Sequence, residues 1–396
     1  MKSGKWLPLI GIGICVFIFN MSEFMPIGLL SDMAVDFGTS ESRMGLIISI
    51  YAWAVAILSL PLMLLLRKME YRRMLLMCVV LFAAFQFMSG LSGSYWVLVI
   101  SRLGVAVAHG IFWSIASPLA VKVVPDGMQK LALSTVSAGT SIAMIIGLPL
   151  GRMIGLALGW RMTFIVIAVV SIAALMLLVA VFPRVENPGT FTLRRVPDIF
   201  RNKALVCMYV TLAIYVTGYY TGYSYIEPFM AQIAGMSENM ITVMLTAFGL
   251  AGIFGSMLFT KVYDRMRFRF LISMMIGAGI CLFVLRLASA SALATGIVCT
   301  AWGLCAISFC VASQNETIKA APQDAIPIAM SLYSGIFNVG IAMGSIVGGA
   351  VTDGGSVGNI GIVGGAFVMA SAAIAGTVLI KVIKKRESER PEPSIL

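Results

Sequence analysis

Twelve apolar runs, each long enough to cross a bilayer as a helix, recur through 396 residues. They lie at about 6–30, 44–66, 74–92, 95–121, 131–158, 161–182, 204–230, 240–260, 270–288, 291–314, 327–352 and 359–381. A hydrocarbon core of about 30 Å takes about 20 helical residues, whereas a barrel strand needs only about ten alternating ones. Run length therefore selects helices. Composition removes the soluble alternative: 60% of the residues are hydrophobic and 11% are charged, against about 25% charged in average soluble domains. A soluble fold of this size would lack the polar cover its surface needs. The expectation is an all-α membrane protein with twelve transmembrane helices.

The net charge of +11 is placed for lipid headgroups rather than for nucleic acid. With the N-terminus inside, the inner loops and tails hold 23 of the 28 Lys and Arg residues, leaving Arg43, Arg102, Arg152, Arg161 and Arg286. The positive-inside rule then puts both termini in the cytoplasm and supports an even number of spans. MKSGKW and its apolar run read as an uncleaved first span, the run being too long for a signal h-region. All seven cysteines fall inside spans, at neither disulfide nor zinc spacing. They read as small buried side chains, and no metal or cofactor is expected.

The chain repeats itself. Lys122/Lys319, Pro125/Pro322, Ala132/Ala329, Ser134/Ser331, Ser137/Ser334, Gly147/Gly344 and Gly151/Gly348 match at one offset, 197, as do Met69/Met266 and Arg72/Arg269. An offset near half the chain means two parallel, pseudo-symmetric six-helix bundles. The expected organisation is a bundle at 1–182, a cytoplasmic linker at 183–203, a bundle at 204–383 and a solvated tail at 384–396. Transporters built from such repeats bind substrate near the midplane.

Ionisable residues inside spans are costly and mark pathways. Span 4 carries Arg102 and the only histidine, His109, on one helical face with Ala106 and Trp113, at steps of four, three and four. Glu23 in span 1 lies at a depth similar to that of Arg102. The two read either as a proton carrier with a biasing charge or as a static ion pair. His109, with an unperturbed pKa near 6.5, suits proton exchange or a hydrogen bond to a substrate hydroxyl. Tyr215, Tyr219, Tyr223 and Glu227 follow at steps of four in span 7, a stripe of phenols and a carboxylate suited to sugars and small polar-apolar ligands. Tyr223 fits an interfacial aromatic belt equally well. Asn20 and Asn338 are mid-span amides that could hold substrate or join helices. Tyr51 completes the candidate pocket. Glu316, at the inner end of span 10, is expected to reach the interface. Glycines in spans 5 and 11, with Pro149, read as close-packing faces.

Together, EFMPIGLLSDMA (23–34), IYAWAVAILSLPLM (50–63), SRLGVAVAHGIFWSI (101–115), GLPLGRMIG (147–155), YSYIEPF (223–229) and SGIFNVG (334–340) resemble the major facilitator superfamily. The resemblance is to its drug:proton antiporter branch, nearest the bacterial sugar efflux transporters that export arabinose, lactose-like sugars and thiogalactosides. It implies the major facilitator fold, a bacterial inner-membrane location, alternating access, protons and a sugar-like molecule as partners, and a monomer. Arg102 resembles the fourth-helix arginine linked to proton transfer, and Glu23 the first-helix acid of the branch. Gly147, Pro149 and Gly151 resemble the fifth-helix antiporter motif, with Leu148 interposed and Arg152 where glycine is usual. The loop after span 2 departs from the family, with Arg67 at its aspartate position and Glu70 at its second glycine. Arg72, with Asp264 and Arg265 in the second half, is the expected cytoplasmic latch.

The function implied is proton-coupled export of sugars or sugar-like molecules. A hydrophobic-drug:proton antiporter and a proton-coupled importer share these features. An enzyme lacks support, since the sequence has one histidine, no metal-ligand cluster, no nucleophile elbow and no phosphate loop. A passive channel suits two repeats with buried charges less well.

Overall fold

A computed structural model describes residues 6–66, 68–125, 128–186, 196–322 and 325–388. The described residues are overwhelmingly helical. In chain order the helices are α1 (Leu7–Phe24), α2 (Leu30–Asp36), α3 (Glu41–Leu66), α4 (Tyr71–Gly90), α5 (Tyr95–Lys122), α6 (Gln129–Ile142), α7 (Leu148–Leu158) and α8 (Trp160–Val181). They continue with α9 (Val196–Arg201), α10 (Lys203–Tyr223), α11 (Ile226–Gln232), α12 (Glu238–Ala288), α13 (Ala292–Ala320), α14 (Ile326–Gly354), α15 (Ile360–Ile374) and α16 (Ile380–Ser388).

Among the described residues, ten helical stretches are long and apolar enough to cross a membrane. The twelve-span fold is recovered once two are read physically. α12 has 51 residues, which at about 1.5 Å each would make about 76 Å, more than two bilayer cores. It is broken at Met266, whose φ of −130° and ψ of 25° leave the helical region. It therefore supplies two spans joined by a kink. α6 and α7 form one further span, joined by a π-helical segment at Ala143–Gly147. Pro149 follows it and removes an amide donor from the ladder, so the extra residue is accommodated where the backbone is already weakened. In each unit one set of described span ends is rich in Lys and Arg, namely Lys68, Arg72, Arg73, Lys122 and Arg184 in the first unit and Lys261, Arg265, Arg267, Arg269, Lys381, Lys384, Lys385 and Arg386 in the second, and forms the basic end of that unit.

The described residues pack as two compact units, those within Met1–Phe191 with Ser224–Gly249, and those within Thr192–Tyr223 with Leu250–Leu396. In the first, α1 packs against α6 and α8, and α4 and α5 pack together. In the second, α10 packs against α14 and α15, and α13 against α14. The glycine faces explain how such close approach is possible. Added β-carbons at Gly147, Gly151 and Gly155 would meet Met21, Met25 and Leu29 at 3.2 Å or less. One at Gly344 would meet the Thr217 carbonyl oxygen at 2.5 Å. Span 5 thus closes on span 1, and span 11 on span 7. Helix starts repeat too: Ser94 caps α5 by accepting from the Val97 amide, and Ser291 caps α13 by accepting from the Ala294 amide, again 197 residues apart.

The sequence-based linker 183–203 includes 187–195, outside the described residues. Its end forms α9 and the start of α10. Residues 384–388, expected in the solvated tail, continue α16 instead. Arg386 donates to the Ala320 carbonyl and Glu387 pairs with Arg267 at 2.7 Å.

Candidate functional site

Span 1 is not one helix. Pro26 has no N–H, so the Ser22 carbonyl one turn earlier loses its ladder partner. The chain tightens into a 3₁₀ turn over Met25–Leu29 before α2 begins. An orphaned carbonyl at membrane depth must find another donor, and Arg102 supplies it. Its Nη2 donates to the Ser22 carbonyl at 3.0 Å and its Nη1 to the Ser22 hydroxyl at 3.1 Å. Gln86 donates to the same hydroxyl. The guanidinium carbon lies 4.6 Å from the centre of the Tyr51 ring, a geometry that spreads the charge over an aromatic face. Arg102 is 1% exposed.

Glu23 does not form a direct ion pair with Arg102. Backbone bonding claims the arginine, and the carboxylate turns to His109, with Oε2 at 3.7 Å from Nε2. Phe19, one turn before Glu23, sits between Phe82 and Phe112 at ring distances of 3.9 and 4.3 Å. That stack fixes the face of α1 and aims Glu23 at α5. Tyr51 lies edge-on to His109 at 5.5 Å, and Trp113 lies 6.1 Å from it. The three expected residues Glu23, Arg102 and His109 are therefore brought together, with Tyr51 and Trp113 beside them. The cluster also holds unspent hydrogen-bonding capacity: Tyr51 Oη, His109 Nδ1, Gln86 Oε1 and Arg102 Nε are buried without partners. Buried polar atoms are seldom left so, and here they converge on one place.

The second unit presents an aromatic wall. Tyr219 stacks on Tyr223 at 5.1 Å, and Trp302 lies edge-on to them at 5.4 and 6.3 Å. Tyr215, deeper, packs on Phe309 at 3.8 Å, and its hydroxyl is buried without a partner. Asn338 donates to the Ser334 carbonyl of its own helix at 3.0 Å, leaving its Oδ1 buried and unpaired. Asn20 donates to the Val16 carbonyl of its own helix at 2.8 Å. It serves its own backbone rather than the cluster.

The tyrosine stripe does not run on to Glu227. The helix breaks at Ser224–Tyr225, because Pro228 removes the donor that the Ser224 carbonyl would use, and Glu227 restarts the chain in α11. Its carboxylate lies 3.4 Å from Arg152 and accepts from the Ser31 amide and hydroxyl at 3.2 and 2.9 Å. Arg152 is fully buried. It also donates to the Gly28 carbonyl and to Glu238. The amide of Ser31, three residues beyond Gly28, is given to Glu227, so Gly28 needs another donor. The arginine that departs from the family glycine thus completes a clamp of α7, α11, α12 and the broken end of span 1. Sequence reading had placed Glu227 in the pocket and left Arg152 without a role. An arginine and two acids at one end of their spans were the available signal, but their pairing depends on two helix breaks.

At the basic end, Arg72 donates to the Val179 carbonyl at 2.9 Å, and Glu70 accepts from the Val185 amide at 3.2 Å. Asp264 and Arg265 are exposed and are not the residues that tie this end of the second unit. Glu316 does that instead. It is 1% exposed, does not reach the interface, and is held by Arg267 through two contacts of 2.6 Å and by the Tyr263 hydroxyl.

Two bundles of membrane-crossing helices around buried, partly unpaired polar clusters define a membrane transporter rather than an enzyme. The Major Facilitator Superfamily pattern matches residues 12–326 and 208–395, and the chain belongs to that family. Its fold is similar to that of a bacterial homolog of the human lysosomal transporter Spinster. The TM-score is 0.80, with 13% identity over 99% of this chain and 100% of that one, to the inward-facing, unoccupied crystal structure. Against the inward-facing, occupied structure the TM-score is 0.75, with 14% identity over the whole of both chains.

Proposed function

We propose that the protein is a proton-coupled antiporter that exports sugars or sugar-like small molecules across a bacterial inner membrane by alternating access, as a monomer with both termini cytoplasmic. The observation that carries the reading is the buried cluster of Glu23, His109, Tyr51 and Arg102. It combines an exchangeable carboxylate, a fixed positive charge and several unspent donors and acceptors. Glu23 takes up a proton from the side of higher proton activity, and the charged and neutral forms favour different access states. A free-energy difference of about 3 kcal/mol between those forms shifts such an equilibrium by about two orders of magnitude. Tyr51, His109 and Trp113 supply ring faces and hydrogen-bonding groups for a polyhydroxylated ligand. Gly147, Pro149 and Gly151 supply a smooth, bendable contact against span 1.

The test is substrate-induced proton release. Purified protein in weakly buffered detergent near neutral pH is given a thiogalactoside or arabinose. Proton release that disappears in Glu23→Gln supports both the substrate class and the coupling residue. Binding without release removes proton coupling through this cluster. No binding of either sugar, together with binding of a lipophilic cation, favours the second reading, a hydrophobic-compound:proton antiporter, which the aromatic wall around Trp302 would also serve.

A further inference from the structure

The kink at Met266 opens a cleft in the second unit that the transport site does not use. Its volume is about 210 Å³, and it is lined by Leu258, Val262, Met266, Phe270 and Met274, with Arg269 and Ser273 at its rim. That is smaller than the ~300–1,000 Å³ of pockets that enclose drug-sized ligands, so an occupant would leave most of its bulk outside. Its setting says what lies outside. From Arg269 and Ser273 the same face of α12 continues through Ile276, Ile280, Phe283 and Leu287, which are 36%, 52%, 39% and 78% exposed. At 1.5 Å per residue, positions 269 to 287 span about 27 Å, most of a hydrocarbon core. An exposed apolar face of that length in a membrane-crossing helix is solvated by acyl chains. Arg269 stands where that face ends, at the basic end. Its side chain is exposed and makes no ion pair or hydrogen bond among the described residues. Arg265, also exposed, lies one turn before it across the kink.

We propose that this cleft is a binding site for an anionic phospholipid. One acyl chain enters between the two halves of α12, and the headgroup phosphate rests on Arg269, with Arg265 adding to the positive field. The apolar lining recognises the chain, and the guanidinium selects a negative headgroup over a zwitterionic one. The broken backbone at Met266 is what makes room, since an unbroken helix would hold its two halves in line.

The full-length protein is reconstituted in neutral lipid doped with phosphatidylglycerol or phosphatidylcholine, each bearing a photoreactive group on one acyl chain. The cross-linked peptides are then mapped. Labelling within 258–274 is expected to be about fivefold higher with phosphatidylglycerol, and Arg269→Gln is expected to bring the two lipids level. Because Arg269 is exposed, that variant keeps its fold, which its size-exclusion profile checks. Val262→Trp, which fills the cleft, is expected to lower labelling with both lipids. Equal labelling of the wild type by the two lipids would overturn the proposal, and so would an Arg269→Gln protein that still discriminates. Loss of labelling in excess inorganic phosphate would make this a phosphate site and overturn the lipid assignment.

Discussion

Pro26 and Arg102 are a matched pair, and their partnership explains why a fixed charge is tolerated at membrane depth. The proline leaves the Ser22 carbonyl without a donor, and the arginine replaces it. Arg102→Met is expected to lower stability by about 1–3 kcal/mol, the cost of an unsatisfied buried group. Combining it with Pro26→Ala, which restores an N–H in the ladder, is expected to recover part of that loss. Thermal unfolding in detergent measures both, and equal destabilisation in the single and double variants would show that the carbonyl is not what Arg102 serves. Tyr51 makes the complementary case. Its hydroxyl is buried but bonded to nothing, so Tyr51→Phe is expected to leave stability within about 0.5 kcal/mol. If the hydroxyl meets substrate, sugar affinity falls about tenfold, the scale of one lost hydrogen bond. Unchanged affinity would take Tyr51 out of the pocket. At this scale the sequence marks the candidates, because ionisable groups in apolar runs are rare. It was silent on their partners: Ser22 and Gln86 are ordinary polar residues until a proline three-dimensionally exposes a carbonyl to them.

Span positions and the repeat were legible because apolar run length and the 197-residue offset are properties of the chain itself. The glycine faces were legible for the same reason, and Gly147 and Gly344 do press against the first span of their respective halves. The interruptions were not. The break at Met25–Leu29 needs a distant side chain, Arg102, to serve the carbonyl that Pro26 strands, and the one at Met266 has no proline to announce it. Hence Glu227 was assigned to a continuous tyrosine stripe, and Glu316 to the interface. The clamp at Arg152 tests this account. Arg152→Met alone strands Glu227 in a buried site and is expected to cost about 3–5 kcal/mol. Arg152→Met with Glu227→Gln removes both charges and is expected to cost clearly less than the sum of the single changes. Additive losses, read from unfolding midpoints, would mean that the two charges do not depend on each other.

Across the whole molecule, symmetry and chemistry part company. The positions 197 residues beyond Glu23, Tyr51, Arg102, His109 and Trp113 hold Tyr220, Phe248, Cys299, Ala306 and Cys310. The second half keeps the packing and capping of the first and replaces its ionisable cluster with apolar and aromatic residues. A duplicated scaffold of this kind can give one half to the coupling ion and the other to aromatic recognition. If coupling resides in the buried cluster of the first half, removing that cluster's carboxylate, Glu23, separates two activities that a general loss of function would remove together. In proteoliposomes, Glu23→Gln is expected to abolish uphill sugar transport driven by a pH gradient, a fall of at least tenfold. Exchange of labelled for unlabelled sugar, which needs no net proton movement, is expected to continue within a few-fold of the wild type. Carboxamide and carboxyl are nearly isosteric, but the carboxamide holds no exchangeable proton, so the remaining exchange should no longer vary with pH through this site. Retained uphill transport would move the proton site to His109 or elsewhere. Loss of both activities in a correctly folded protein would assign Glu23 to substrate binding instead.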